Sequence, residues 1–167
     1  MENTIVELKF SLDTFYFLMS GVLVMWMAAG FAMLEAGLVR AKNTTEILTK
    51  NVALFSIACT MFLLVGYNIM YVDNAEGGFI PSFGALIGTQ AADADHSLES
   101  DFFFQVVFVA TAMSIVSGAV AERMKLWAFL IFTVVLTGFI YPIEGYWTWG
   151  AGFLSEMGFV DFAGSAI

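Results

Sequence analysis

Four long runs without a charged side chain constrain this chain more than any other feature. Each run is flanked by an Asp, Glu or Lys residue, and the runs cover residues 14–34, 51–72, 102–121 and 126–143. A helix needs roughly 20 apolar residues to cross a hydrocarbon core of about 30 Å. Because each run is close to that length, the pattern predicts four membrane-spanning helices.

The composition identifies lipid as the solvent for these runs. The chain is 60% hydrophobic and only 13% charged, whereas soluble domains carry about 25% charged residues. We therefore predict an all-α integral membrane protein in which residues 1–167 form one domain. Its spans are expected at about residues 12–38, 47–72, 101–122 and 125–146, with the start of a fifth at 159–167. Ser11 or Asp13 is expected to cap the first helix, and Pro142 to end or kink the fourth.

The charges divide between the two ends of the predicted bundle. Four of the six basic residues lie in two short linkers, and the long loop at residues 73–100 on the other side is acidic. The positive-inside rule then places the basic linkers in the cytoplasm, with the N-terminus and the loop outside the plasma membrane. Lys50 is expected to extend toward the inner interface. The net charge of −9 argues against a nucleic-acid partner.

Four side chains near the acidic end are candidates for binding. Phe104 and Phe108 are four residues apart and share a helix face, while Trp149 comes after the fourth run and Asp161 precedes the last apolar segment. The aromatic residues alone are typical of packing or interfacial anchoring, and Asp161 alone is typical of a helix N-cap. Burial of an aspartate in a membrane span is nevertheless costly, and such residues are normally functional or tightly hydrogen-bonded.

Together these four residues predict a receptor for a small cation. Aromatic faces attract ammonium-type cations by about 0.5–2 kcal/mol each, and a nearby carboxylate adds its field. The sequence offers no nucleophile–base pair, metal-ligand cluster or phosphate loop, so an enzyme is the least favoured class and no catalytic residue, metal or cofactor is predicted. Structural ion pairing or helix capping is expected for Glu35 and Glu122, which have Arg40, Lys42 and Arg123 close in sequence. Simple solvation is expected for the lone histidine, His96.

Four segments of the chain resemble the Amt/Mep/Rh ammonium transporters. GFAMLEAGLVRAKN (30–43) is similar to their first helix and turn, and FQVVFVATAMSIVSGAVAERMK (104–125) to their third helix. YPIEGYWTWGAGFL (141–154) and GFVDFAGSAI (158–167) resemble the next segments of the family pattern. The resemblance covers nearly the whole chain and is weakest in the long loop.

The resemblance implies a role for each candidate residue. Phe108 and Trp149 match the aromatic residues that bind ammonium at the outer recruitment site. Phe104 matches the phenylalanine that stacks with Phe108 as a gate over the pore. Asp161 matches the aspartate that helps ammonium bind and shed its proton.

The resemblance also implies a mechanism and an assembly. Ammonium is selected outside and ammonia crosses a narrow pore lined by a pair of histidines, in a fold of about eleven helices with two inverted repeats. A homotrimer and a cytoplasmic PII-type regulator are the implied partners, besides ammonium and the lipid bilayer. The chain stops at Ile167, just before the position of the first pore histidine, so these residues alone are expected not to conduct ammonium.

Two alternatives to transport stay open at this point. Some Amt-like modules belong to signalling proteins, so the chain is also consistent with a non-transporting ammonium sensor. An unrelated four-helix membrane scaffold would use the aromatic residues as interfacial belts and Asp161 as a cap.

Overall fold

The computed structural model describes residues 2–72, 74–91, 94–162 and 164, without the side chains of Glu2 and Asn3. All regular structure in these residues is helical. A 3₁₀ turn at Ala41–Asn43 and two π-helical turns at Phe62–Gly66 and Leu136–Ile140 connect the α-helices. The helices are α1 (Glu2–Leu38), α2 (Thr44–Met61), α3 (Tyr67–Tyr71), α4 (Leu98–Ala119), α5 (Leu126–Val135), α6 (Tyr141–Thr148) and α7 (Phe153–Glu156).

Four helical segments are long and apolar enough to cross a membrane. They extend over Thr4–Leu38, Ala41–Tyr71, Leu98–Ala119 and Leu126–Glu156. In the first segment only 6% of the most apolar stretch is buried within the protein. Such a helix is stable only where its exposed apolar side chains contact lipid or further protein. The predicted all-α membrane fold with four spans is confirmed.

The first helix is longer than the sequence predicted. It begins at Glu2, not near residue 12. Ser11 is inside the helix, where its hydroxyl donates to the carbonyl of Glu7 at 2.8 Å, so neither predicted cap residue starts it. A helix of 37 residues is about 55 Å long, which exceeds the thickness of the bilayer core. The ion pair between Lys9 and Asp95, at 2.7 Å, joins the first turns of this helix to the long loop.

The fourth span remains helical through Pro142, so Pro142 does not end it; the alternative expectation, a kink, stays a prediction. Proline lacks an N–H and its ring clashes with the carbonyl four residues earlier in a regular α-helix. A π-helical turn at Leu136–Ile140 precedes α6 and widens the backbone at this point. Gly66, in the other π-helical turn, lies against the Pro142 ring, where an added Cβ would be crowded. The two irregular turns therefore pack on each other.

The core lies where the second, third and fourth spans meet. α4 is central, since it packs against α1 and α2 and against both π-helical turns. Gly21 of α1 allows close approach to the Phe103 ring of α4. The buried side chains of the main cluster are Ala58, Phe62, Tyr67, Met70, Val106, Val107, Val109, Ala110 and Tyr141.

The long loop and the last segment complete the described chain. The loop returns along the second span, where the backbone N–H of Leu86 donates to the carbonyl of Leu64 at 2.9 Å in the π-helical turn. Phe159 to Phe162 are not helical. Residues 163 and 165–167 lie outside the described residues, so the predicted start of a fifth span stays a prediction.

Candidate functional site

One cavity of about 570 Å³ lies between α1, α4, α6 and the segment after α7. All four residues singled out in the sequence line it: Phe104, Phe108, Trp149 and Asp161. The structure thus brings together side chains up to 57 positions apart, from Phe104 to Asp161. We call this space the aromatic cavity. Its other lining residues are Met27, Tyr71, Gln105, Thr111, Ala112, Ile115, Tyr141, Phe162 and Gly164.

The aromatic rings at the cavity are arranged edge to face. Phe104 and Phe108 stand one helical turn apart on α4, with ring centroids 5.0 Å apart and planes at 74°. Phe17 of α1 packs edge-on against Phe104, at 5.2 Å and 86°. This geometry joins the positive edge of one ring to the negative face of the next, and it stabilises the row beyond the area it buries.

Trp149 and Asp161 are joined by a hydrogen bond that closes one side of the cavity. Trp149 comes directly after the last turn of α6, and its indole Nε1–H donates to the backbone carbonyl of Asp161 at 3.3 Å. Asp161 is only 7% exposed. The expected N-cap involves residue 163, which lies outside the described residues, so it stays a prediction. A carboxylate in such apolar surroundings exerts a stronger field on a nearby cation than it would in water.

Polar side chains beside the aromatic row were missed by sequence reasoning. Gln105 lines the cavity, and its amide donates to Asp101 Oδ1 at 3.4 Å. The hydroxyl of Tyr67 donates to the other oxygen of Asp101 at 2.6 Å. Gln105 carries a polar amide within the uncharged run of α4 and directly follows Phe104. This position is the sequence signal that could have identified it.

His96 does not behave as a simply solvated loop residue. Its ring stacks on Phe17 with centroids 4.3 Å apart and planes at 26°. His96 therefore extends the row formed by Phe17, Phe104 and Phe108 toward the acidic loop. The expectation of solvation was wrong because this contact joins the loop to α1, and no local pattern in the loop encodes it.

The basic end of the bundle is held by Glu122. Arg40 reaches both carboxylate oxygens of Glu122 through Nε at 3.1 Å, and the Arg40 backbone N–H donates to Oε1 at 3.0 Å. The side-chain amide of Asn43 donates to the same oxygen at 2.6 Å. These hydrogen bonds, that of Asn43 first, lower the pKa of the Glu122 carboxyl to about 2. The backbone of Glu122 has a φ of +61°, which is strained for a residue with a side chain.

The other predicted ion pair has an unexpected partner. Glu35 pairs with Lys50 of α2, at 3.5 Å between Nζ and Oε2. Both side chains are buried, so the expectation that Lys50 extends toward the interface was wrong. The structural ion pairing expected for Glu35 and Glu122 is confirmed.

The arrangement at the aromatic cavity suits a small monovalent cation. It offers the π faces of Phe108 and Trp149, and the field of the buried Asp161. Among the described residues, no three His, Cys, Asp or Glu side chains are grouped closely enough to hold a metal ion. The roles of Phe104, Phe108, Trp149 and Asp161 in binding and gating remain predictions.

Comparisons with known proteins find related chains and a solved structure with the same fold. A 148-residue alignment with ammonium transporter Amt2 of Haloferax mediterranei is 45% identical and covers 87% of this chain and 32% of that protein. Amt2 of Archaeoglobus fulgidus is 39% identical over 165 residues, covering 93% of this chain and 35% of that protein. The solved structure of a sensor Amt protein superposes with a TM-score of 0.86 at 32% identity, over 98% of this chain and 41% of that one.

The chain thus spans about a third of the length of these relatives. Residues 15–167, nearly the whole chain, match the sequence model of the Ammonium Transporter Family. The identities above 30%, the superposed helices and this match agree with one another. The chain belongs to the Ammonium Transporter Family.

Proposed function

We propose that the protein transports ammonium across a membrane and that the aromatic cavity is its recruitment site. One observation carries this proposal: Phe104, Phe108, Trp149 and Asp161 line a single cavity at the acidic end. The relatives named as ammonium transporters support the choice of substrate. The family is one of transporters, and no enzymatic activity is part of the proposal.

Binding follows from the chemistry of the lining. An ammonium ion sheds water on entry, and the π faces of Phe108 and Trp149 replace part of that hydration. The Asp161 carboxylate stabilises the positive charge through its field and, with its carbonyl bound to Trp149, keeps the indole in place. A neutral molecule of the same size gains neither interaction, so the site selects the charged form.

Gating follows from the position of the two phenylalanines. Phe104 is wedged between Phe17 and Phe108, so the ring of one cannot rotate far without displacing its neighbour. Beyond them the lining includes the apolar side chains of Met27, Ala112 and Ile115. Such a lining disfavours the ion and favours ammonia.

The orientation and assembly belong to the same proposal. The Arg40–Glu122 pair joins the two basic linkers at one end, and the positive-inside rule puts that end in the cytoplasm and the N-terminus outside the plasma membrane. The acidic loop then faces the side from which ammonium arrives and raises its local concentration. A homotrimer and a cytoplasmic PII-type regulator are carried over from the family resemblance.

Uptake of labelled methylammonium tests this function. Cells that lack their own ammonium transporters express the protein from its entire reading frame, and saturable uptake that ammonium inhibits is expected. Asp161→Asn should lower the initial rate roughly tenfold or more, the effect of about 1.4 kcal/mol of lost charge stabilisation. Glu76→Gln, an exposed loop carboxylate outside the cavity lining, is the matched control. Equal uptake by both variants at equal expression contradicts the assigned site.

Ammonium sensing is the second candidate, favoured by the superposition on a sensor Amt protein. The same cavity would serve it, because a sensor also has to bind the ion. A protein that is stabilised by ammonium in a thermal-shift titration but gives no uptake supports sensing. A protein that does both supports transport.

A further inference from the structure

A second cluster of polar groups is buried where the four spans meet. Lys50 of α2 is 6% exposed and Glu35 of α1 is 3% exposed. The Lys50 ammonium lies 3.5 Å from Glu35 Oε2 and donates to the Ser117 carbonyl of α4 at 3.1 Å. It also lies 4.7 Å from the centroid of the Phe129 ring of α5. Three spans therefore each contribute one group around a single ammonium ion, which the remaining span, α2, supplies.

These groups match the requirements of a primary alkylammonium. Such an ion has three N–H donors and a positive charge. Here a carbonyl accepts a hydrogen bond, a carboxylate neutralises the charge, and an aromatic face supplies the cation–π contact. The aromatic cavity combines the same kinds of group with different residues, and the two clusters share no residue.

The Glu35 carboxylate has hydrogen-bonding capacity that Lys50 does not use. Its distance of 3.5 Å from Nζ is longer than the 2.7–2.9 Å of a strong charged hydrogen bond. Among the described residues, buried Glu35 Oε1 and Asn51 Nδ2 have no hydrogen-bond partner. The single hydroxyl proton of Ser117 goes to Glu35 Oε2 at 2.8 Å, not to the amide oxygen of Asn51 at 3.5 Å. The receptor thus keeps unused polar capacity beside its bound ammonium.

Lys50 is also reached from the basic end of the bundle. A pocket of about 160 Å³ is lined by both Lys50 and Phe129, together with Glu46 and Asn43. Of these lining residues Glu46 is exposed and Phe129 is buried. The lysine side chain lines the same pocket and makes the contact with the Phe129 ring.

We propose that Glu35, Ser117 and Phe129 form a second receptor for a primary ammonium, in which Lys50 is the resident, covalently tethered cation. The side chain of Lys50 occupies this receptor and closes it to free ammonium. The proposal rests on the contacts of Lys50 and is independent of the transport function proposed for the aromatic cavity.

Replacement of the tethered cation by a free one tests the proposal. Lys50→Ala removes three methylene groups and the ammonium, which together correspond to n-propylammonium. In thermal unfolding of the purified protein, n-propylammonium should raise the Tm of Lys50→Ala saturably, by about 2–4 °C or more. The wild-type protein and the double variant Lys50→Ala/Glu35→Gln should show at most the smaller response that binding at the aromatic cavity gives to all three proteins. n-Propanol, which lacks the charge, and tetramethylammonium, which lacks N–H donors, should not restore stability.

The absence of a selective response in Lys50→Ala overturns the proposal, as does an equal response in the double variant. A second pair of variants covers the case in which Lys50→Ala does not fold. Lys50→Met fills the space but leaves Glu35 without its cation, so adding Glu35→Gln should raise the Tm above that of Lys50→Met alone. A double variant no more stable than Lys50→Met contradicts the assignment of Lys50 as the cation of this receptor.

Discussion

The aromatic cavity and the Lys50 receptor use similar chemistry at two depths of one helical bundle. Each places a buried carboxylate, Asp161 or Glu35, among groups that include aromatic rings. The aromatic cavity has a volume of about 570 Å³, and none of its described lining residues has a side chain that acts as a cation. The Lys50 receptor is filled by a side chain of the protein itself. The comparison separates the site proposed to exchange its cation from one that keeps it.

The difference comes from which elements surround each carboxylate. In the Lys50 receptor, groups from α1, α4 and α5 surround an ammonium from α2, so opening it means separating helices. The aromatic cavity is closed on one side only by the segment after α7, through the hydrogen bond between Trp149 and Asp161. On the proposed function, the Asp161 carboxylate serves binding, whereas the Glu35 carboxylate serves the stability of the bundle.

Removal of one partner of the buried pair is the largest expected effect and the first way to break the comparison. Glu35→Gln leaves the Lys50 ammonium uncompensated among the four spans. Loss of one partner of a buried pair costs about 3–5 kcal/mol of unfolding free energy, measured by denaturant unfolding in micelles. Glu46→Gln, an exposed carboxylate near the same pocket, should cost far less. If both variants unfold alike, Glu35 does not hold the bundle.

A smaller effect is expected at Trp149 and sharpens the account of the cavity. Trp149→Phe keeps an aromatic face but loses the N–H that donates to the Asp161 carbonyl. The loss of one neutral hydrogen bond is worth about 0.5–1.5 kcal/mol, so the KM for methylammonium should rise about 2- to 12-fold. Trp147→Phe loses a comparable bond to the Phe79 carbonyl, at 2.8 Å, outside the cavity lining. A rise in KM for Trp147→Phe alone would reverse the assignment.

The smallest effect concerns Glu122, whose carboxylate is partly exposed in contrast to the two buried ones. The pKa of its carboxyl is about 2 in the folded protein, below its ordinary value of 4.5. Since the folded state holds the deprotonated form, the contribution of Glu122 to stability is complete above pH 4.5 and is lost as the pH falls toward 2. The Tm difference between wild type and Glu122→Gln should therefore shrink over that range. A difference that grows with acidity would contradict the hydrogen bonds assigned to Glu122.

The spans and the four cavity residues were accessible from the sequence because their signals are local. An uncharged run between two charges fixes a membrane helix whatever its neighbours are. Phe104 and Phe108 share a face by helical spacing alone, and Trp149 and Asp161 were grouped with them by their place near the acidic end before the family resemblance implied a role for each. The structure brings these four residues to one cavity, as that interpretation required.

The rest could not be predicted because it depends on contacts between distant segments. Lys50 looked like an interfacial lysine, and only the packing of α1, α4 and α5 around it shows an ammonium held by a carboxylate, a carbonyl and a ring. His96 looked solvated until its loop was placed against Phe17. Pro142 was expected to end or kink its helix, and nothing in the sequence indicates the π-helical turn that precedes it.

One calorimetric measurement tests the contrast between the two receptors most directly. Ammonium chloride is titrated into the purified protein in lipid nanodiscs, with potassium chloride as the reference salt. The proteins compared are the wild type, Phe108→Leu and Phe129→Leu, which remove one ring from the aromatic cavity and one from the Lys50 receptor. Phe108→Leu should weaken ammonium binding about 2- to 30-fold, the loss of one cation–π contact, and Phe129→Leu should leave it unchanged. Weakening by Phe129→Leu, with wild-type affinity in Phe108→Leu, would contradict the account.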